Sequence, residues 1–185
     1  MNKKSTRNKK VRRPLTYAET HNRSLKIYQN TCSFITWAGL MNFFGAVFAL
    51  FNRSGTTFYY LNFTFNQWIF RTLEFNGLSE SSPVAFVVLV LVIAAVSGAG
   101  FVLLGQFARR GYHLPLMVGT AIYFVDLILL FFLPAHLEDP NFRRIGFIFH
   151  GLILMMMVIS IIFYYHIVKL QKSKKAPAEE ETFKE

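Results

Sequence analysis

Asp126 is the one formally charged side chain inside any long apolar run of this sequence, and an imidazole, His150, lies inside the next run. An aspartate near the middle of a spanning helix costs roughly 2.5–3.5 kcal/mol on insertion scales. Residues kept at that cost face the protein interior, where they mark an ion or proton path or a hydrogen-bonded network. Gly119, Tyr123, Asp126 and Leu130 recur at helical spacing and share one face. At helical rise Asp126 falls about 11 Å below one membrane edge, and His150 about 8 Å below the same edge. Asn42, in the first run, falls at about 14 Å. Asp126, His150, Asn42 and Tyr123 therefore form the candidate intramembrane polar site. A buried carboxylate beside an imidazole can exchange protons near neutral pH, which suits a small proton- or cation-coupled transporter or channel. The same residues suit a hydrogen-bonded clamp between neighbouring helices.

Catalytic chemistry finds no footing. Ser97-Gly98 with His150 resembles a nucleophile and base in type only. Ser97 sits some 20 Å from the edge that His150 lies near, too far for the hydrogen bond such a pair needs. No Gly-rich phosphate loop, HExxH or CxxC is present, so no cofactor or resident metal is expected. Met155–Met157 reads as lipid- or core-facing filler, since copper would need more convergence of soft ligands than one helix face supplies. His136, Glu138 and Asp139 fit no metal-ligand spacing and read as solvated loop charges.

The elements that position these residues are four apolar runs, Thr31–Phe51, Val84–Phe107, Leu114–Leu133 and Ile145–Val168. Each matches the roughly 20 residues that cross a ~30 Å hydrocarbon core. The expected fold is an all-α membrane protein, a four-transmembrane-helix bundle over residues 31–168. The flanking pieces are too short to fold alone. Residues 1–15 read as a disordered basic tail, and 169–185 as a disordered tail that turns from basic to acidic. Pro14 followed by Thr16-x-x-Glu19 matches a capping box. Tyr17, His21, Leu25 and Tyr28 then share a face, so 16–30 reads as a short amphipathic juxtamembrane helix lying on the membrane surface. The N-terminus lacks the short core and small-residue cleavage site of a signal peptide, so the first span is expected to remain as an anchor.

The net charge of +10 is placed for a membrane rather than for nucleic acid. Sixteen of the 20 Lys and Arg lie before span one, between spans two and three, or after span four. That bias puts both termini in the cytoplasm, and the cell membrane is the expected location. The basic N-terminal tail is expected to attract anionic lipid. The single cysteine, Cys32, excludes an internal disulfide; it serves as a small apolar filler or a lipidation site.

Small residues mark the helix contacts. Ala38, Gly39, Asn42, Gly45 and Ala46 line one face of span one, and Ala94 with Gly98 forms a small-xxx-small pair in span two. Such faces let backbones approach closely in lipid. Gly39, Gly45, Ala46, Ala94 and Gly98 are therefore the expected packing residues. The first outer loop, 52–83, carries eight aromatics, and its periodicity fits strand and helix equally. It is expected at the membrane–water interface, or as a ligand- or partner-binding cap. Asn62-Phe-Thr64 is a glycosylation acceptor if the source is eukaryotic. The function these features favour is a non-enzymatic accessory, assembly or interaction subunit, with a membrane protein or a second copy as partner.

Overall fold

The computed structural model describes residues 15–51, 61–132 and 140–182, the side chains of 140–143 and 174–182 excepted. The described residues form helices α1 (Tyr17–Phe51), α2 (Thr64–Phe75), α3 (Leu78–Ser81), α4 (Pro83–Arg109), α5 (His113–Phe132) and α6 (Pro140–Thr182), with no strand among them. Four of them, α1, α4, α5 and α6, are long and apolar enough to cross a membrane, consistent with an integral membrane protein. Their outward faces carry exposed Trp37, Phe48, Val96, Phe131 and Ile148, as a lipid-facing surface requires.

The long helices begin and end where local chemistry allows. The Thr16 hydroxyl accepts from the Glu19 N–H at 3.3 Å, and the Glu19 carboxylate accepts from the Thr16 N–H at 2.9 Å, closing the capping box. From there α1 runs unbroken for 35 residues, so residues 16–30 are not a separate surface helix. Ser24 and Tyr28 are buried, and the Tyr28 hydroxyl donates to the Ala108 carbonyl at 2.6 Å. Contact with α4 and α6 thus overrides the amphipathic pattern that suggested a helix lying flat. Helix α4 starts with Pro83 in its first turn and ends at a left-handed Gly111 (φ +94°). There Gly111 N–H donates to Ala108 O and Tyr112 N–H to Phe107 O, a Schellman stop. Helix α6 continues through 169–182, most of the segment read as a disordered tail. The basic residues of 1–14 and the His136–Asp139 loop lie outside the described residues.

Each long helix packs on two neighbours: α1 on α4 and α6, and α5 on the same pair. The α1–α4 contact is the closest. A Cβ added to Gly98 would sit 2.7 Å from the Gly39 carbonyl oxygen, and one added to Gly39 would strike the Gly98 carbonyl. Further along the seam, Gly105 lies against the Thr36 backbone. Lipid gives little hydrophobic drive for such a contact, so close van der Waals packing must hold it. Ala46 and Ala94 are fully buried beside Phe70 and Val90, where α1, α4 and α2 meet. Gly45 differs from its expected role: its neighbours are Leu61 and Asn62, not a helix face. Cys32 is fully buried in the main core and fills the place of a small apolar side chain.

Gly98→Leu should therefore lower stability by about 1–3 kcal/mol, the usual cost of overpacking. Gly100→Ala, whose new methyl would meet nothing within 4 Å, should leave it unchanged or slightly raised. Unfolding of the two variants in detergent by denaturant titration checks the contrast.

Candidate intramembrane polar site

The polar site is assembled around a segment that the sequence pattern puts outside the membrane. Residues 61–63 are non-α, and α2 begins at Thr64 with Phe63 (φ −59°, ψ 141°) as the residue before it. Phenylalanine has no acceptor to cap a helix, so the first N–H groups of α2 need partners from elsewhere. They find them on α1 and α5. Asp126 accepts from Thr64 N–H through Oδ2 at 3.0 Å and from Phe65 N–H through Oδ1 at 3.2 Å. Asn42 Oδ1 accepts from Phe63 N–H at 2.8 Å. Three consecutive backbone donors are thereby satisfied by two side chains from two spans. A carboxylate at a helix N-terminus also meets the positive end of the helix dipole. Asp126 lies six residues from the end of α5, about 9 Å in along the axis, so the start of α2 is re-entrant.

His150 joins Asp126 as expected from depth: its Nδ1 lies 3.3 Å from Asp126 Oδ2, and both side chains are buried. Tyr123 stacks on the imidazole, ring centroids 5.3 Å apart. Phe63 then wedges between Phe101, at 4.5 Å, and Tyr123, at 6.1 Å. This aromatic loop residue, expected at an interface, is part of the main core.

Asn42 serves a second set of partners. Its amide donates to Ala94 O at 3.2 Å and to Ser97 Oγ at 3.0 Å. Asn66 donates to both Asn42 Oδ1 and Ser97 Oγ at 2.9 Å. The expected single cluster is thus two, an Asp126–His150–Tyr123 group and an Asn42–Asn66–Ser97 group, with residues 63–65 hydrogen-bonded to both. Ser97 belongs to the second group, far in counted depth from His150 but only about 6 Å from Asn42.

Sequence reasoning missed Asn62, Thr64, Asn66 and Gln67, all buried. Their signal is the interleaving of polar residues with aromatics in an otherwise apolar stretch. Asn62 is fully buried, and its backbone carbonyl accepts from Gln67 Nε2 at 3.2 Å. Phe58, Tyr59 and Tyr60 lie outside the described residues. A groove of ≈ 340 Å³ touches Asp126 and is otherwise lined by Phe65, Ala121, Ile122, Val125 and Leu129. Its walls suit hydrocarbon rather than water. Among the described residues no group of three or more His, Cys, Asp or Glu is placed to hold a metal.

No protein-family model, curated protein or solved structure matches this chain.

Asp126→Asn keeps one acceptor but turns an NH₂ toward a buried N–H. It should destabilise by about 1–3 kcal/mol, the cost of one unsatisfied buried donor. Asn42→Ala should cost at least as much, because it strips Phe63 N–H and the Asn66 amide together. Denaturant unfolding in detergent measures both. Changes within about 0.5 kcal/mol, the range of inconsequential substitutions, would contradict the assignment.

Proposed function

We infer that this protein is a non-enzymatic component of the cell membrane, with both termini in the cytoplasm. It works as an accessory or assembly subunit through contact with another membrane protein or a second copy of itself. The observation that carries the reading is the state of α2. Its base is tied to α1 and α5 through Asn42 and Asp126, while its far face presents half-exposed Trp68 and Ile69. Trp68, Ile69, Thr72 and Leu73 line a shallow hollow of ≈ 290 Å³ on that face. A helix anchored at its base and left apolar on its outer side suits recognition of a neighbour at the membrane boundary.

The transporter reading has less support. Both oxygens of Asp126 accept backbone N–H groups of the chain itself, and the groove beside it is apolar. The clamp accounts for the same residues without a path. The cytoplasmic placement of the termini rests on the sixteen basic residues of one side, and the tail cations would draw anionic lipid to that side.

A photoreactive residue in place of Trp68 should give a covalent adduct with another membrane protein or a second copy in native membranes. One in place of Val96, on the lipid-facing side of α4, should not. Equal yields from both positions, or none from either, would contradict the reading. For topology, Ser5→Cys and Ser173→Cys should react with an impermeant maleimide only after the membrane is opened. Background is low because Cys32 is buried.

A further inference from the structure

The four long helices are pinned at one level near one end. Tyr28 of α1 donates to Ala108 O of α4, and its ring lies 6.1 Å from Tyr164 of α6, which stacks on His113 of α5 at 5.8 Å. This level is also a membrane edge, since α4 ends at Arg109 and α5 begins at His113. Exposed Tyr112 and Tyr165 sit at it, as interfacial aromatics do.

Around this level stand six exposed cations: Arg23 and Lys26 on α1, Arg109 and Arg110 at the α4–α5 turn, and Lys169 and Lys172 on α6. All lie within about 12 Å of the pinned level along their helix axes, about one and a half screening lengths at physiological salt. None forms an ion pair among the described residues. The one acidic side chain described on these helix ends, Glu19, closes the capping box of α1. The two arginines are held in place by the Schellman stop, and the Arg110 guanidinium lies over the Phe107 ring at 5.8 Å. The arrangement differs from a basic tail. It is a collar built from three separate elements at headgroup height, with fixed backbone beneath it.

We propose that this collar binds the headgroups of anionic phospholipids, with Arg109 and Arg110 at its centre. The charge complementarity, the headgroup depth and the absence of counterions among the described residues all point to that partner, and tail residues 1–14 are not needed for it. The site stands whichever side of the membrane this end faces.

The full chain, reconstituted in vesicles of equal parts phosphatidylcholine and phosphatidylglycerol and then extracted in mild detergent, should retain phosphatidylglycerol preferentially by native mass spectrometry. The double variant Arg109→Gln/Arg110→Gln should lose that preference by about fivefold or more, from the contribution of each surface cation. Arg109→Lys/Arg110→Lys should keep it, as should Arg71→Gln, whose charge is already paired with Glu74 at 3.0 Å. Added salt should weaken the preference. Retention of both lipids as supplied, an unchanged preference in the Gln variant, or loss in the Lys variant would each overturn the proposal.

Discussion

Backbone N–H groups cannot be left bare inside a membrane, and this structure depends on how three of them are met. Phe63, Thr64 and Phe65 enter the protein as the start of a helix, with no side chain of their own able to cap it. In water that would be a minor defect. In hydrocarbon each unmet donor costs several kcal/mol, so a re-entrant segment is tolerated only where other elements supply acceptors. Asp126 and Asn42 are those acceptors, and each stands on a different spanning helix. The cost of placing an aspartate in a span and the cost of burying a helix start offset one another.

Other features follow from that exchange. The carboxylate must be held at the right height and angle, and His150 and Tyr123 lie against it from α6 and α5. The entering chain needs space, which Gly45 provides by having no side chain where Leu61 and Asn62 pass. Phe63 fills the gap between Phe101 and Tyr123, so the segment that solves a polar problem also packs the core. Elsewhere the glycines have a different task, and Gly39 and Gly98 let α1 and α4 touch through backbone atoms. Two uses of small residues therefore alternate along one face of α1.

Much of this is legible in the sequence. Hydropathy locates the four spans because a run of about 20 apolar residues is the length that crosses a bilayer and is rarely needed elsewhere. The Thr16/Glu19 box and the Gly39/Gly98 faces are local patterns with a direct mechanism, and equal depth pairs Asp126 with His150. The re-entrant segment is not legible, because 61–63 lie outside any α-helix and 64 onward are α-helical. A segment that changes period midway matches both templates and satisfies neither. Ser97 is set apart for a different reason: it is weighed only as a nucleophile for His150, while its partners are the amides of Asn42 and Asn66. Asn62, Thr64 and Asn66 escape notice because polar residues are ordinary in a loop, and become unusual only once the loop is buried.

Amide hydrogen exchange of the detergent-solubilised protein, resolved residue by residue, bears most directly on the capping of α2 by other helices. The Phe63, Thr64 and Phe65 N–H groups should be protected as strongly as amides in the middle of α4, although they precede the first intrahelical bond of α2. Exchange of these three at the rate of an open loop would contradict the capping, and would leave the Asp126 carboxylate without the donors that hold it in the membrane.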